Sequence, residues 1–199
     1  MSPDRPLIPI RFDMSAMVRR QVASLYSHLV TRPTGRALRL GIQSQIGELG
    51  SVCLSILDFE QVVVLDYSCA DEAVAKLIQH YVGPERSAEA YFVAQGVDEH
   101  HRETIEAVLF RHGLALVADV HGQGFTVLGE LGEDRRMAWH ALHELGEAEP
   151  AQVARAADLK FDWCASALED LAARRLVARV PGSPRYLALS ALVRFHTDR

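Results

Sequence analysis

The segment VLDYSCADEAV, residues 64–74, decides the fold because two sequence patterns meet inside it. Val64 and Leu65 end an apolar run of the kind that forms a buried strand. From Ala73 and Val74 onward, apolar residues recur at the spacing of an amphipathic helix. The residues between them are polar or small and include a hydroxyl and a thiol. The segment therefore predicts a strand that leads, through a polar turn, into a helix.

The residues before this turn predict further strands and helices. Two apolar runs, residues 51–59 and 61–67, lie so close together that we expect a hairpin or a bulged strand pair. Residues 7–12 predict a short strand. Apolar residues at helical spacing predict two helices, over residues 13–30 and 36–50.

The residues after the turn continue the alternation of helix and strand. A helix is expected from about Asp71 to Tyr81, a strand follows over residues 88–96, and a second helix covers residues 97–113. Residues 114–131 predict two more strands. Because strands that are apolar on both faces are typical of a covered sheet, we expect an α/β domain with a mixed sheet covered by helices.

The pattern changes near residue 132. Three helices are expected over residues 134–145, 149–159 and 161–177. Two short strands are expected on either side of a Pro-Gly-Ser-Pro turn within residues 178–189. Three helices followed by a hairpin are the layout of a winged helix.

Composition and charge narrow the class of protein. With 199 residues, 49% of them hydrophobic, the chain can bury a sizeable core. Its formal net charge of -5 gives no chain-wide attraction to nucleic acid or anionic lipid. Three cysteines without metal-ligand spacing indicate reduced thiols, and the N-terminus lacks the pattern of a signal peptide. We therefore expect a cytoplasmic protein with no membrane contact and no cofactor.

The first part of the chain resembles the STAS-like family, relatives of the anti-sigma-factor antagonist and sulfate-transporter (STAS) domains. In that pattern a Thr-Gly-Arg opens a helix, an Asp-Phe-x-x-Val strand pair follows, and a Ser precedes a helix that carries Ala-Asp-Glu. The matching residues are Thr34, Gly35, Arg36, Asp58, Phe59, Val62, Ser68, Ala70, Asp71 and Glu72. The resemblance implies a STAS-like α/β domain over residues 1–128, a protein partner of the histidine-kinase-like ATPase type, and a phosphorylatable Ser68.

The last part of the chain, residues 132–199, is similar to winged helix-turn-helix regulators. In this resemblance Leu168 and Leu171 lie in the core of the recognition helix, and Leu176 and Val177 lead into the wing. The two resemblances together imply a bacterial transcription regulator in which a STAS-like signalling domain controls a DNA-binding winged helix. Winged helices also dock on proteins, so an adaptor without a DNA role stays open. Reading a palindromic site would require a homodimer.

Ser68 has two interpretations that the sequence leaves open. A Ser at the start of a helix can cap the free backbone N–H groups of the first turn. It can also be a phosphorylation site, since a helix N-terminus favours a phosphate group. A phosphate would add about −1.5 to −2 charges beside Asp66, Asp71 and Glu72 and would repel a bound partner. We therefore expect these four residues to form a contact surface, which phosphorylation of Ser68 would release.

The candidate DNA contacts lie near the predicted recognition helix and in the wing. They are Arg155, Lys160, Trp163, Ser166, Arg179 and Arg185. Residues 126–199, however, contain ten Lys or Arg and eleven Asp or Glu, whereas DNA-binding domains usually cluster cations. Helical spacing also turns Asp162, Glu169 and Asp170 towards solvent. An exposed Trp163 would favour protein docking, because aromatic residues anchor interfaces.

Catalysis is not expected from this sequence. Cys69 has no base tied to it by a motif, so we expect a buried, unreactive thiol. The histidines within residues 98–103 and 140–144 lack the spacing of a zinc protease helix, so we expect them to be solvated at the surface. A sensor of a small molecule or nucleotide is a further alternative, for which the sequence indicates no pocket.

Overall fold

The computed structural model describes residues 8–13, 28–49, 52–84 and 89–197. The helix expected over residues 13–30 lies mostly outside this described part. Its last residues, His28–Leu29, form a short strand instead.

Helices and strands alternate along most of the chain. In order, the helices are α1 (Arg32–Leu49), α2 (Tyr67–Ala70), a π-helical turn (Asp71–Ala75), α3 (Lys76–Val82), α4 (Glu99–Arg111), α5 (Glu133–Leu145), α6 (Pro150–Ala156), α7 (Phe161–Ala173) and α8 (Leu189–Thr197). The strands are β1 (Ile8–Asp13), β2 (His28–Leu29), β3 (Cys53–Asp58), β4 (Val64–Leu65), β5 (Ala90–Val97), β6 (Ala115–Val120), β7 (Gly124–Gly129), β8 (Glu147–Ala148), β9 (Val177–Arg179) and β10 (Tyr186–Ala188).

One mixed sheet organises the molecule. Its five strands lie in the order β1-β3-β5-β6-β7. The strands β1, β3, β5 and β6 are parallel to one another, and β7 is antiparallel to β6. Parallel neighbours need crossover connections, which α1, the α2–α3 segment and α4 provide. The expected class, mixed α/β with a mixed sheet flanked by helices, is confirmed.

Each face of this sheet has its own hydrophobic core, because successive side chains of a strand point to opposite faces. Leu57 and Phe92 belong to the first core, which they share with residues of α1, α3 and α4. Ile56 and Val93 belong to the second core, together with Trp139 of α5. The sheet is therefore buried between two layers of helices.

The C-terminal helices supply the second of these layers. Cys164, Leu168 and Leu171 of α7 are fully buried, as their spacing predicted, and belong to the core that contains Val93. Beyond them, β8, β10 and β9 form a small antiparallel sheet in that order. The helix α8, which follows β10, was not expected from the sequence. The domain boundary near residues 128–132 stays a prediction, and the second core extends across it.

The hairpin expected from residues 51–67 does not form. Both edges of β3 are taken by β1 and β5, so β4 cannot pair with it and pairs with β2 instead. Val63 is 66% exposed and Val64 is 40% exposed. The second apolar run is therefore a surface segment and not a buried strand.

Two helices begin earlier than expected. α1 begins at Arg32, four residues before the predicted start, and the helix after the polar turn begins at Tyr67 instead of about Asp71. The first turns of both helices carry mostly polar or small residues. Apolar periodicity therefore misses them, although the capping residue Asp66 marks the second start.

Candidate functional sites

Ser68 lies in the first turn of α2, and Asp66 caps that turn. The Oδ1 atom of Asp66 accepts hydrogen bonds from the Ser68 backbone N–H at 2.8 Å and from the Ser68 hydroxyl at 2.5 Å. These hydrogen bonds lower the pKa of Asp66, so its carboxylate is ionised beside Ser68 at neutral pH. The capping role considered for Ser68 belongs to Asp66, and the half-buried serine hydroxyl is a donor to it.

Exposed apolar side chains surround this turn. Val63, Val64 and Tyr67 are 66%, 40% and 38% exposed. We call the surface formed by Val63, Val64, Asp66, Tyr67 and Ser68 the Ser68 surface. An exposed apolar patch that includes charged and hydroxyl groups is typical of a protein contact site.

Asp71 and Glu72 lie beneath the Ser68 surface and not on it. Their exposed fractions are only 3% and 5%. The sequence placed both in the partner contact, but here their carboxylates face α1, α3 and the end of α4, where basic side chains contact them. Only Asp66 and Ser68 of the four expected contact residues remain accessible.

The buried carboxylates and their cations form an ion-pair network. Its members are Asp71, Glu72, Arg32, Arg39, Lys76 and His112. Arg32 Nη1 lies 2.9 Å from Asp71 Oδ2, and His112 Nε2 lies 2.7 Å from Asp71 Oδ1. Burial alone would raise the pKa of Asp71, but the hydrogen bonds from His112 and Arg32 lower it to about 2. The network therefore holds an ionised carboxylate in place and ties three elements together.

The glycine of the Thr-Gly-Arg motif allows α1 to approach the turn. A Cβ atom added at Gly35 would lie 2.5 Å from the backbone oxygen of Cys69 and 2.9 Å from the Cβ of Glu72. Neither atom can move without shifting the backbone that carries Ser68. Gly35 is thus required by close packing, and Arg32 is brought within reach of Asp71 by the same approach.

The predicted wing cations are paired with carboxylates of the chain itself. Arg179 forms an ion pair with Glu169 of α7, and Arg185 Nη1 lies 2.8 Å from Oε1 of Glu147. Glu169 also accepts a hydrogen bond from the Tyr186 hydroxyl at 2.6 Å. These contacts attach the β9–β10 hairpin to α7 and β8.

The start of α7 is exposed and aromatic. Trp163 is 58% exposed, and Phe161 is 55% exposed. Lys160 lies with Nζ 5.5 Å from the centroid of the Trp163 ring, a cation–π contact. Arg155 and Ser166 are also exposed. Phe161 was not predicted as a surface residue, because its spacing to Cys164 and Leu168 is that of a core position.

Cys69, His101 and His143, which the sequence analysis considered for chemistry, have packing roles. Burial raises the pKa of the Cys69 thiol to about 12, so it is not a nucleophile at neutral pH. His101 is 3% exposed, and His143 stacks on Trp139 with ring centroids 5.2 Å apart. The expectation that these histidines are solvated is therefore wrong for His101 and His143. Within the described ranges, no cluster of three or more His, Cys, Asp or Glu could hold a metal ion.

Comparison of the sequence with family models and with curated proteins gives no match. No family model matches the chain, and no curated protein sequence is significantly similar to it. In the part of the chain that the structure describes, no helix has the length and apolar character needed to cross a membrane.

Proposed function

We propose that this chain is a regulatory protein that acts by binding other macromolecules. It combines a STAS-like unit over residues 1–128 with a winged-helix unit over residues 132–199. The Ser68 surface receives a protein partner, and the exposed start of α7 docks on a second protein. The observation that carries this proposal is the pairing of the wing cations together with the exposure of Trp163.

The ion pairs argue for protein docking over DNA binding. A protein that binds DNA gains affinity when unpaired Lys and Arg replace the counterions of phosphates. Arg179 and Arg185 are already neutralised by Glu169 and Glu147. If phosphates of DNA paired with these arginines, the carboxylates of Glu169 and Glu147 would lose their partners and would face a polyanion. The wing is therefore poorly suited to contact DNA.

The aromatic residues at the start of α7 favour a protein partner. Trp and other aromatic residues supply much of the binding energy at protein interfaces. Trp163 and Phe161 expose more than half of their surfaces, which is costly unless a partner covers them. The cation of Lys160 beside the indole ring adds a polar rim to this patch.

The Ser68 surface supports a release switch by phosphorylation. Phosphoserine would place two negative groups side by side, because Asp66 Oδ1 lies 2.5 Å from the Ser68 hydroxyl oxygen. The repulsion would break the cap at the start of α2 and add charge to an apolar contact surface. By its resemblance to the STAS-like family, the partner here is a histidine-kinase-like ATPase.

Site-specific photo-crosslinking tests the docking proposal in the native cell. A benzophenone amino acid replaces Trp163 in one variant and Phe110, which is 57% exposed on α4, in a matched control. We expect a discrete protein adduct at position 163 that is absent at position 110. No adduct at position 163, or the same adducts at both positions, would contradict the proposal.

A transcription regulator that binds DNA is the second candidate function. Arg155 and Lys160 favour it, since both are exposed and neither forms an ion pair with any described residue. A nucleic-acid adduct at position 163 in the crosslinking experiment would support this candidate. The double substitution Arg155→Ala and Lys160→Ala should then weaken binding to DNA. It should also make the dependence of the binding constant on salt concentration less steep, by the amount expected for the loss of about two phosphate contacts.

A further inference from the structure

A cavity of about 830 Å³ lies between the sheet and the C-terminal unit. Its walls come from β5, from the end of α7, from the β9–β10 hairpin and from α8. Cavities of about 300 to 1,000 Å³ are the size that proteins use for small molecules. Sequence patterns do not indicate this cavity, because its wall residues come from separate segments between residues 52 and 192.

The walls combine apolar side chains with charged residues that pair with one another. Val52, Val82, Leu187 and Leu192 contribute apolar surface from four separate parts of the fold. Such walls favour a ligand with a mainly apolar body, since its burial removes apolar surface from water.

Arg175 is the polar group that can orient a ligand. Its side chain is only 11% exposed, and its Nη1 atom donates hydrogen bonds to Glu89 Oε1 at 2.6 Å and to the Tyr91 hydroxyl at 3.2 Å. No described residue accepts a hydrogen bond from its Nε or Nη2 atom. A largely buried guanidinium with free donors is a binding group for a hydrogen-bond acceptor.

The backbone holds Arg175 in this position. Its φ is 63°, in the left-handed region, where the chain leaves α7. The guanidinium also lies over the Tyr91 ring, with Cζ 5.1 Å from the ring centroid. Backbone conformation and ring contact together hold Arg175 in the cavity wall.

The charges around the cavity are balanced. Each lining carboxylate pairs with an arginine, namely Glu89 with Arg175, Glu169 with Arg179 and Glu147 with Arg185. Among the described residues of the wall no cation is left without a carboxylate, so a carboxylate or phosphate ligand would bring in a negative charge that none of them balances. An uncharged acceptor, such as a carbonyl or a ring nitrogen, can use the free donors of Arg175 without that penalty.

We propose that this cavity binds an uncharged, largely apolar small molecule through a hydrogen-bond acceptor that contacts Arg175. Because the ligand touches both the sheet and the C-terminal unit, its binding stabilises their packing by mass action. The site is separate from the Ser68 surface and from the start of α7, so it does not depend on either proposed docking contact.

Ligand-observed saturation-transfer NMR on the full-length chain tests this proposal. The probes are coumarin, quinoline and 1-indanone, all uncharged at pH 7.5 and each with one acceptor group. Coumarin-3-carboxylate is the matched anion, which carries the same ring with an added charge. We expect millimolar or tighter binding of at least one uncharged probe and at least tenfold weaker binding of the matched anion than of coumarin.

Two variants locate the bound probe. Ala173 is an exposed residue of the cavity wall, and Ala173→Trp should fill the cavity and weaken probe binding at least tenfold. Ala151→Trp, at an exposed position of α6 outside the wall, should bind as the unmodified chain does. Arg175→Lys keeps the positive charge but removes the Nε and Nη2 donors of the guanidinium, and should weaken probe binding about fivefold.

Several outcomes would overturn the proposal. They are no binding by any of the three uncharged probes, full binding to Ala173→Trp, equal binding of coumarin and its carboxylate, or full binding to Arg175→Lys. If Ala173→Trp does not fold, Arg175→Lys still decides the question. Each measurement uses the chain without a partner, so its result is independent of the crosslinking experiment.

Discussion

Gly35 shows how a single residue sets the geometry of the proposed contact site. Its missing Cβ lets α1 lie against the backbone oxygen of Cys69, one residue after Ser68. Gly47 lies in the same helix, but a Cβ atom there would have no neighbour within 4 Å. A comparison of Ala substitutions at the two glycines therefore distinguishes the effect of close packing on stability from the effect of helix propensity.

We expect Gly35→Ala to lower the free energy of unfolding by about 1–3 kcal/mol, because the added methyl group overlaps backbone atoms. Gly47→Ala should leave stability unchanged or raise it by up to about 1 kcal/mol, since Ala is the better helix former. Urea unfolding of both variants measures the difference. Equal effects of the two substitutions would show that the close approach of α1 is not maintained in solution.

The sequence predicted some residue environments correctly and others not. The burial of Cys164, Leu168 and Leu171 followed from helical spacing, because these residues lie in the middle of α7. Phe161 has the same spacing but is exposed, since it lies in the first turn, where the core ends. Periodicity gives the direction of a side chain, and it does not say whether a neighbour covers that position.

The π-helical turn between α2 and α3 joins the elements around the Ser68 surface. Its residues Asp71 and Glu72 contact basic side chains of α1, α3 and the end of α4. The sequence identified both acidic residues but placed them in the wrong environment, because only tertiary packing brings the cations to them. The hairpin prediction failed for a related reason, as the neighbours of β3 are distant in sequence.

The network predicts how stability depends on acid. The pKa of Asp71 is lowered to about 2 in the folded chain, below its value of about 3.9 in the unfolded chain. The contribution of Asp71 to the free energy of unfolding is therefore fully present above about pH 4 and is lost as the pH falls towards 2. Asp71→Asn should lower stability at pH 7 by about 2 kcal/mol and flatten the decline between pH 5 and 2. Urea unfolding at pH 7, 5, 3 and 2 measures both effects.

A matched control separates the network from general charge effects. Asp162 is exposed and forms no ion pair with any described residue, so Asp162→Asn should unfold as the unmodified chain does at each pH. A decline with acid that is as steep in Asp71→Asn as in the unmodified chain would contradict the assigned role of Asp71.

At the scale of the whole molecule, the sheet is covered on one face by α1, α3 and α4, which connect its strands, and on the other by the C-terminal unit. The alternation of strands and helices predicted the sheet and the three C-terminal helices, but not that these helices pack on the sheet. That contact depends on Trp139, Ile56 and Val93, which belong to one core although they are far apart in sequence. We therefore expect the two parts of the chain to unfold as one cooperative unit.

Hydrogen exchange in Trp139→Ala tests this expectation most directly. Loss of this buried side chain should cost about 3–5 kcal/mol, whereas Trp163→Ala, at an exposed tryptophan, should cost less than about 1 kcal/mol. If the core is shared, the slowest amides of β5 and α7 will exchange faster by the same factor in Trp139→Ala and will be unchanged in Trp163→Ala. Faster exchange in α7 with full protection kept in β5 would contradict the account.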